Sequence, residues 1–317
     1  MDLKHKSLKD VAASSEAHSA LAGCDVITKR TPERRLPAHG HNRSSYREAE
    51  AIRFDKEEAA HRTFHPARPG VSQLVPHLLR SGVFSAGHAS GDISRTFRVH
   101  RHDSTDAVVE DQRVRYDGPQ LRQFHKRVLL GLLLLAAGKD GGVTLVFNAQ
   151  TFLRSIGRDD STANVGALRR ALVDLRRATF TISTYAGDSG EVFGLISEAT
   201  WVRRTLTVTM SRRLAFALQS LGRTYIPMRQ RNLLADGVQT ALADLIWSTS
   251  VTRMQVTDLA AMWGREHVQL GREITVALGK LKAAGVLKSF NRRRNAFDFE
   301  RDLTGFQSTN KTSPAER

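Results

Sequence analysis

The stretch MQVTDLAAMWGREHVQLGREITVALGKLKAAGVLKSFNRRRNAFDF, residues 254–299, decides the reading of this chain. Met254-Gln255-Val256 is a short apolar strand. Thr257-Asp258 then offers a helix start, because the Thr257 hydroxyl can accept a hydrogen bond from an orphan amide of the first turn. The pattern predicts a short helix to Trp263, stopped by Gly264, since glycine tolerates the left-handed conformation that ends many helices. A second helix follows over about 268–284, where Leu270, Ile274, Ala277, Leu278 and Leu281 recur at three- and four-residue spacing and share one face. Gly285 ends it. Val286 to Phe290 and Ala296 to Phe299 alternate as two strands around the cationic loop Asn291-Arg292-Arg293-Arg294-Asn295.

Strand, helix, turn, helix and basic hairpin, in that order, is the order of a winged helix. Away from the leucines lie Arg265, Gln269, Arg272, Thr275 and Gly279. Held outward, these are what a recognition helix offers to a major groove, where arginine suits guanine edges and glutamine suits adenine. Arg292, Arg293 and Arg294 would then lie on phosphate or in the minor groove. A polar helix face or a charged hairpin tip alone is commonly just hydrated. The ordered context carries the reading.

The same order recurs upstream. Thr96 to Val99 and Arg113 to Tyr116 alternate as strands, and Asp117-Gly118-Pro119 marks a turn that starts a helix to about Ala137. Val143 to Phe147 reads as a buried strand, Asn148 as the cap of a short helix to Ile156, and Asp160 or Ser161 as the start of another to about Arg177. That helix sets Val165, Leu168, Leu172 and Leu175 on one face and Thr162, Gly166, Arg170, Val173 and Arg177 on the other, which makes Arg170 and Arg177 candidate DNA contacts. Thr179 to Tyr185 and Glu191 to Ser197 read as its hairpin, with Thr205 to Met210 as a third strand. Ser211 to Leu221 is a short helix and Tyr225-Ile226-Pro227 an extended exit. In the helix from Asp236 to Ser248, Gln239, Ala243 and Asp244 are expected to face out.

The expected fold is therefore α+β: two tandem winged-helix domains, 71–222 and 223–305, after a largely disordered basic tail at 1–70 and before a disordered tail at 306–317. Two rigidly spaced readers would match major-groove faces about 10 base pairs apart.

Charge agrees. The 317 residues carry a formal charge of +16 and a pI near 10.7, which concentrates polyanions at the surface, nucleic acid first and anionic membrane second. From Ala199 to Ala235 there are seven arginines and no acid, a phosphate-contacting stretch in which Arg229 and Arg231 are candidate DNA contacts. The longest apolar run, Val128 to Ala137, is ten residues, about half of what a bilayer-spanning helix needs, so no membrane partner is expected. Met1 to Gly23 lacks a signal pattern and Cys24 is the single cysteine, which fits a reducing cytoplasm and excludes an internal disulfide or a cysteine metal site.

Several stretches carry a family resemblance: LLRSGVFS at 78–85, VRYDGPQLRQFHKRVLLGLL at 114–133, TFLRSIGR and ALRRALVDLRRATFTI between 151 and 182, YIPMRQRNLLADGVQTALADLIWS at 225–248, and LKAAGVLKSF at 281–290. Over roughly 74–301 the chain resembles plasmid replication initiators of the TrfA type, among the iteron-binding initiators built from two winged-helix domains. The resemblance implies binding to double-stranded DNA at origin direct repeats (iterons), melting of an adjacent AT-rich region, and recruitment of the host initiator and replicative helicase. It also implies a monomer on DNA and a homodimer off it, joined through the first winged domain. Some relatives carry a sliding-clamp-binding peptide, which Gln73-Leu74-Val75-Pro76-His77-Leu78 loosely resembles.

Enzymatic readings find little support. A relaxase needs clustered histidines and a nucleophilic tyrosine, yet His100-Arg101-His102 places a cation between its histidines, and His39-Gly40-His41 falls in the tail. Tyr116, Tyr185 and Tyr225 sit in strand-like apolar contexts. Gly138-Lys139-Asp140 lacks the hydroxyl residue and the upstream glycine of a phosphate loop. His125, with no carboxylate paired to it in the sequence, reads as structural. No catalysis, cofactor or metal is expected. A winged-helix transcriptional repressor would use the same physics, but tandem readers in one chain suit asymmetric direct repeats better than a palindrome.

Overall fold

Two hydrophobic cores organise the chain, the first reaching to Met228 and the second beginning at Leu234 apart from Ala86. The computed structural model describes residues 64, 70–75, 78–79, 82–86, 91–102, 108–184, 190–220, 223–249 and 251–302. Apart from Phe64 and Gly70, the expected tails lie outside the described residues, as do Cys24, His39, His41 and Tyr185. The architecture is mixed α+β.

The first unit runs through strands β1 (Val71–Leu74), β2 (Phe84–Ser85), β3 (Asp92–His102), β4 (Val108–Pro119) and β5 (Leu121–Arg122), then helix α1 (Gln123–Ala136). Strand β6 (Thr144–Asn148), helices α2 (Ala149–Ser155) and α3 (Thr162–Arg177), and strands β7 (Thr179–Thr184), β8 (Gly190–Gly194), β9 (Ile196–Val202) and β10 (Thr205–Met210) follow. Helix α4 (Arg212–Ser220), strand β11 (Thr224–Pro227) and helix α5 (Met228–Asn232) lead to the second unit. That unit comprises α6 (Val238–Ser248), β12 (Arg253–Gln255), α7 (Val256–Trp263), α8 (His267–Ala283), β13 (Leu287–Arg292) and β14 (Ala296–Arg301).

Local chemistry sets these elements. The Asn148 side chain accepts from the Gln150 and Thr151 amides at 2.9 and 3.3 Å and starts α2, and the Ser161 hydroxyl accepts from Asn164 N at 3.4 Å and starts α3. Gly264 ends α7 at φ 63°. In α8 the stripe Leu270, Ile274, Ala277, Leu278 and Leu281 is buried as its spacing predicts, each large side chain contributing about 1.5–3 kcal/mol. The outward positions Gln269, Arg272, Thr275 and Gly279 are exposed.

Sheet order repeats. The antiparallel sheet β6-β10-β9 of the first unit and β12-β14-β13 of the second place the same successive strands in the same order, so each helix pair is followed by a hairpin whose second strand lies in the middle. The first unit adds an antiparallel four-stranded sheet β3-β4-β7-β8.

Several local expectations change. The hairpin expected at 179–197 does not accompany β10. It joins β4 instead, because Phe180 is buried against Tyr116, with ring centroids 5.0 Å apart, and Phe193 lies 5.7 Å from Phe180. The hairpin in the sheet of β6 is β9–β10. Asp117-Gly118-Pro119 does not turn into a helix, since β4 runs through it to pair with β3, and α1 begins at Gln123. At Gly118, where φ is 145°, an added Cβ would stand 3.0 Å from the Arg177 carbonyl oxygen, so both the backbone conformation and the close passage of α3 favour glycine. Strand β6 is an edge, with Val146 exposed. Thr257 does not cap α7, which starts one residue earlier, and its hydroxyl donates toward Asp258 at 3.5 Å. The expected boundary at 222/223 cuts a folded ladder: Thr224 to Pro227 pair with Leu74 to Val71, and Ile226 and Met228 belong to the first core. Gln73 and Leu74 are buried in that ladder, so the segment resembling a clamp-binding peptide is structural.

Polar groups lock the junction between the cores. From α1, Arg127 donates to Asp236 Oδ1 at 2.8 Å, to Ile156 O and Asn232 Oδ1 at 3.0 Å, and to Leu234 O at 2.8 Å.

Candidate nucleic-acid interface

In the second unit the candidate interface is α8 with the tip of β13–β14. Gln269 and Arg272 project from the exposed face, and their side chains hold no partner among the described residues. Arg265 differs from expectation. It grips Glu273 with both terminal nitrogens, at 2.7 and 2.6 Å, and that hydrogen bonding holds its guanidinium firmly charged. A fork closed on a carboxylate must give up that pair before it can take a guanine edge, so Arg265 is not an open group of this face.

Two further positions change role. Thr275 donates to Gly271 O at 3.0 Å and accepts from Arg292 Nε at 3.4 Å. Arg292 also donates to Ala296 O at 2.8 Å and to the Arg293 carbonyl, so it ties the hairpin to the helix rather than reaching out to phosphate. Its guanidinium passes over Gly271, where an added Cβ would be in ordinary contact, 3.4 Å from Arg292 Nη2. Arg293 shares Asp298 with Arg253, at 2.9 and 3.7 Å. Arg294 stands exposed at the tip. Gln269, Arg272 and Arg294 therefore remain the open groups of this face.

In the first unit, Arg170 and Arg177 are exposed on α3 as the spacing predicts, and Arg177 donates to Asp92 at 3.2 Å. They line a cleft of about 440 Å³ with Arg122, His125, Asp92 and Asp174. His125 does have a carboxylate, 49 residues away in sequence: Nε2 meets Asp174 Oδ2 at 3.1 Å, while Nδ1 accepts the Arg122 amide at 2.9 Å. Burial lowers its affinity for a proton more than Asp174 raises it. The neutral ring has both nitrogens committed, one accepting and one donating. Neither is free to move a proton at a substrate.

The two arginines expected on α5 separate. Arg229 is exposed, but Arg231, two residues on and so on the opposite side of the helix, is fully buried. Its Nε and Nη2 donate to Asp244 at 3.0 and 3.1 Å, Nη2 also reaches Gln123 Oε1 at 3.4 Å, and Lys126 Nζ lies 3.2 Å from the same carboxylate. Arg231 is thus an interior counter-ion and not a DNA contact. Ala243 and Asp244, expected on the outer face of α6, are both fully buried for the same reason: α6 lies between the second core and α1 with its cation.

The enzymatic candidates are placed as follows. Tyr116 is buried, its hydroxyl donates to the Pro119 carbonyl, and burial pushes its ionisation far up. Gly138 to Asp140 form a turn after α1 in which the Gly138 amide donates to Phe64 O. Among the described residues no group of three or more His, Cys, Asp or Glu could hold a metal, and no helix is long and apolar enough to cross a membrane.

Sequence reasoning missed the first unit's hairpin tip, where Val202 pairs with Thr205 around the two-residue turn Arg203-Arg204. Its signal was present: TWVRRTLTV alternates on both sides of a paired arginine.

No protein-family model matches the chain, and no curated protein sequence does. Among solved structures, the chain is similar to a crystal structure of domains 2 and 3 of RctB, at 10% identity and a TM-score of 0.48, over 72% of this chain and 99% of that one. A second crystal structure of RctB domains 2–3 gives 9% identity and a TM-score of 0.47, over 71% and 95%.

Proposed function

We propose that the chain is a sequence-specific double-stranded DNA-binding protein with two tandem winged-helix units, acting as a plasmid replication initiator of the TrfA type. One observation carries the reading: the strand order β6-β10-β9 recurs as β12-β14-β13, in each case with a helix pair between the first strand and the closing hairpin, and the second helix of each pair shows arginine outward, Arg170 in α3 and Arg272 in α8. A helix packed by one stripe and flanked by a ribbon lies across a groove with its far face on base edges. The Arg127 lock supports fixed spacing between the two readers. A net charge of +16 supplies the phosphate attraction.

By the same resemblance, one copy of the chain binds each direct repeat in the bacterial cytoplasm, and the host initiator and replicative helicase are recruited beside it. No catalytic step is assigned to the chain. Footprinting the purified protein on the replicon that carries its gene tests the reading. Protection of several equally spaced repeats in one orientation, next to an AT-rich stretch, is the expected outcome. Protection of one inverted repeat over a promoter would make the protein a repressor, and metal-dependent nicking would overturn both.

A further inference from the structure

Resting on that DNA reading, we propose that the β9–β10 tip of the first unit is a second contact element, which presses an apolar wedge flanked by guanidinium groups into the minor groove. Val202 is 76% exposed and Trp201 40%, two successive apolar side chains held in water at the end of a ribbon. Three guanidinium groups belong to this tip and its neighbour. Arg203 and Arg204 form the turn, and Arg169 of α3 lies with its guanidinium 5.8 Å from the Trp201 ring while it donates to the Arg203 carbonyl. Arg204 is steadied by Gln150 Oε1 at 2.9 Å.

The backbone gives an independent sign. Arg203 has φ 52°, in the left-handed region where a two-residue hairpin turn ordinarily places glycine or asparagine. An arginine kept there bears a conformational cost that glycine would not, which calls for a compensating role of the side chain. Minor-groove binders combine these same parts, an apolar side chain that opens a base step and arginines that neutralise the flanking phosphates, and so bend the duplex. The tip also has the right neighbour, because Arg169 precedes Arg170, whose side chain belongs to the exposed face of α3. One duplex lying on α3 can reach both.

The test uses the full chain and the duplex that it protects. Arg203→Gly should melt no lower than wild type, because glycine relieves the left-handed strain, yet bind about tenfold more weakly, with the salt-dependence slope reduced by about one. Val202→Ser should keep the footprint but lose most of the bend, read by energy transfer between the duplex ends. Of the three tryptophans, Trp201 should be the one quenched by DNA, so Trp201→Phe should abolish the quenching. Stability gained together with binding lost separates a contact from a structural turn. If wild type protects a site while all three variants match it in affinity, salt slope and bend, this inference fails alone. If wild type protects no duplex, the DNA reading fails and takes this one with it.

Discussion

Asp244→Ala should destabilise the folded protein by about 3–5 kcal/mol, the typical cost of leaving buried charge without its partner. Asp244 has no exposed surface and stands between Lys126 Nζ and the Arg231 guanidinium, both buried. Burial raises the carboxyl's affinity for a proton, but Arg231 and Lys126 together more than offset this and hold its pKa below the ordinary 3.8. The carboxylate is therefore ionised, and removing it leaves two cations facing each other without water. For a carboxyl whose pKa is depressed by folding, the stabilisation is present above its unfolded value and lost as pH falls through the folded one. Denaturant titration would show the alanine variant unfolding at a much lower midpoint. A loss below about 1 kcal/mol would mean that water reaches the site. Replacing Lys126 and Arg231 with methionine and Asp244 with leucine together should recover most of the loss, because the cost lies in the unpaired charge and not in the shape.

Arg272→Ala should weaken binding to the protected duplex by about 1–3 kcal/mol, roughly fivefold to 150-fold, while binding to random duplex stays nearly intact. The argument is geometric. Of the polar residues expected on the outward face of α8, Arg265 is closed on Glu273 and Thr275 is occupied by Gly271 and Arg292, which leaves Gln269 and Arg272 open. Arginine in that position can take both acceptors of a guanine, and a wrong base leaves its donors unpaired. Titrations on both duplexes at one salt concentration decide it. Equal losses on the two would show that Arg272 touches phosphate alone.

What could be read from the sequence was local. The stripe of α8, the Asn148 and Ser161 caps and the Gly264 stop each depend on residues within one or two turns, where spacing and side-chain chemistry act directly. The losses came from distance. Nothing near Phe180 announces that Tyr116, sixty-odd residues earlier, will draw its hairpin into another sheet. By residue type alone Arg231 and Arg265 belong outside, yet Asp244 and Glu273 lie 13 and 8 residues further on and claim them. One sign was available. In QTALADLIWS, Asp244 is the sole charge in a helix that is otherwise apolar on nearly every side, and a buried carboxylate requires a cation brought to it from elsewhere.

The pairing of β1 with β11 has a consequence for synthesis. The first unit comes earlier in the chain but cannot close until residue 227 has left the ribosome, since its strand β1 waits for a partner some 150 residues later. The second unit draws nearly all its contacts from 234–301 and needs no such long chain closure. The later-made unit should therefore gain its protection first when the whole chain refolds, with α8 amides shielded before those of β1 in pulse-labelled hydrogen exchange. Order of manufacture and order of maturation run in opposite directions.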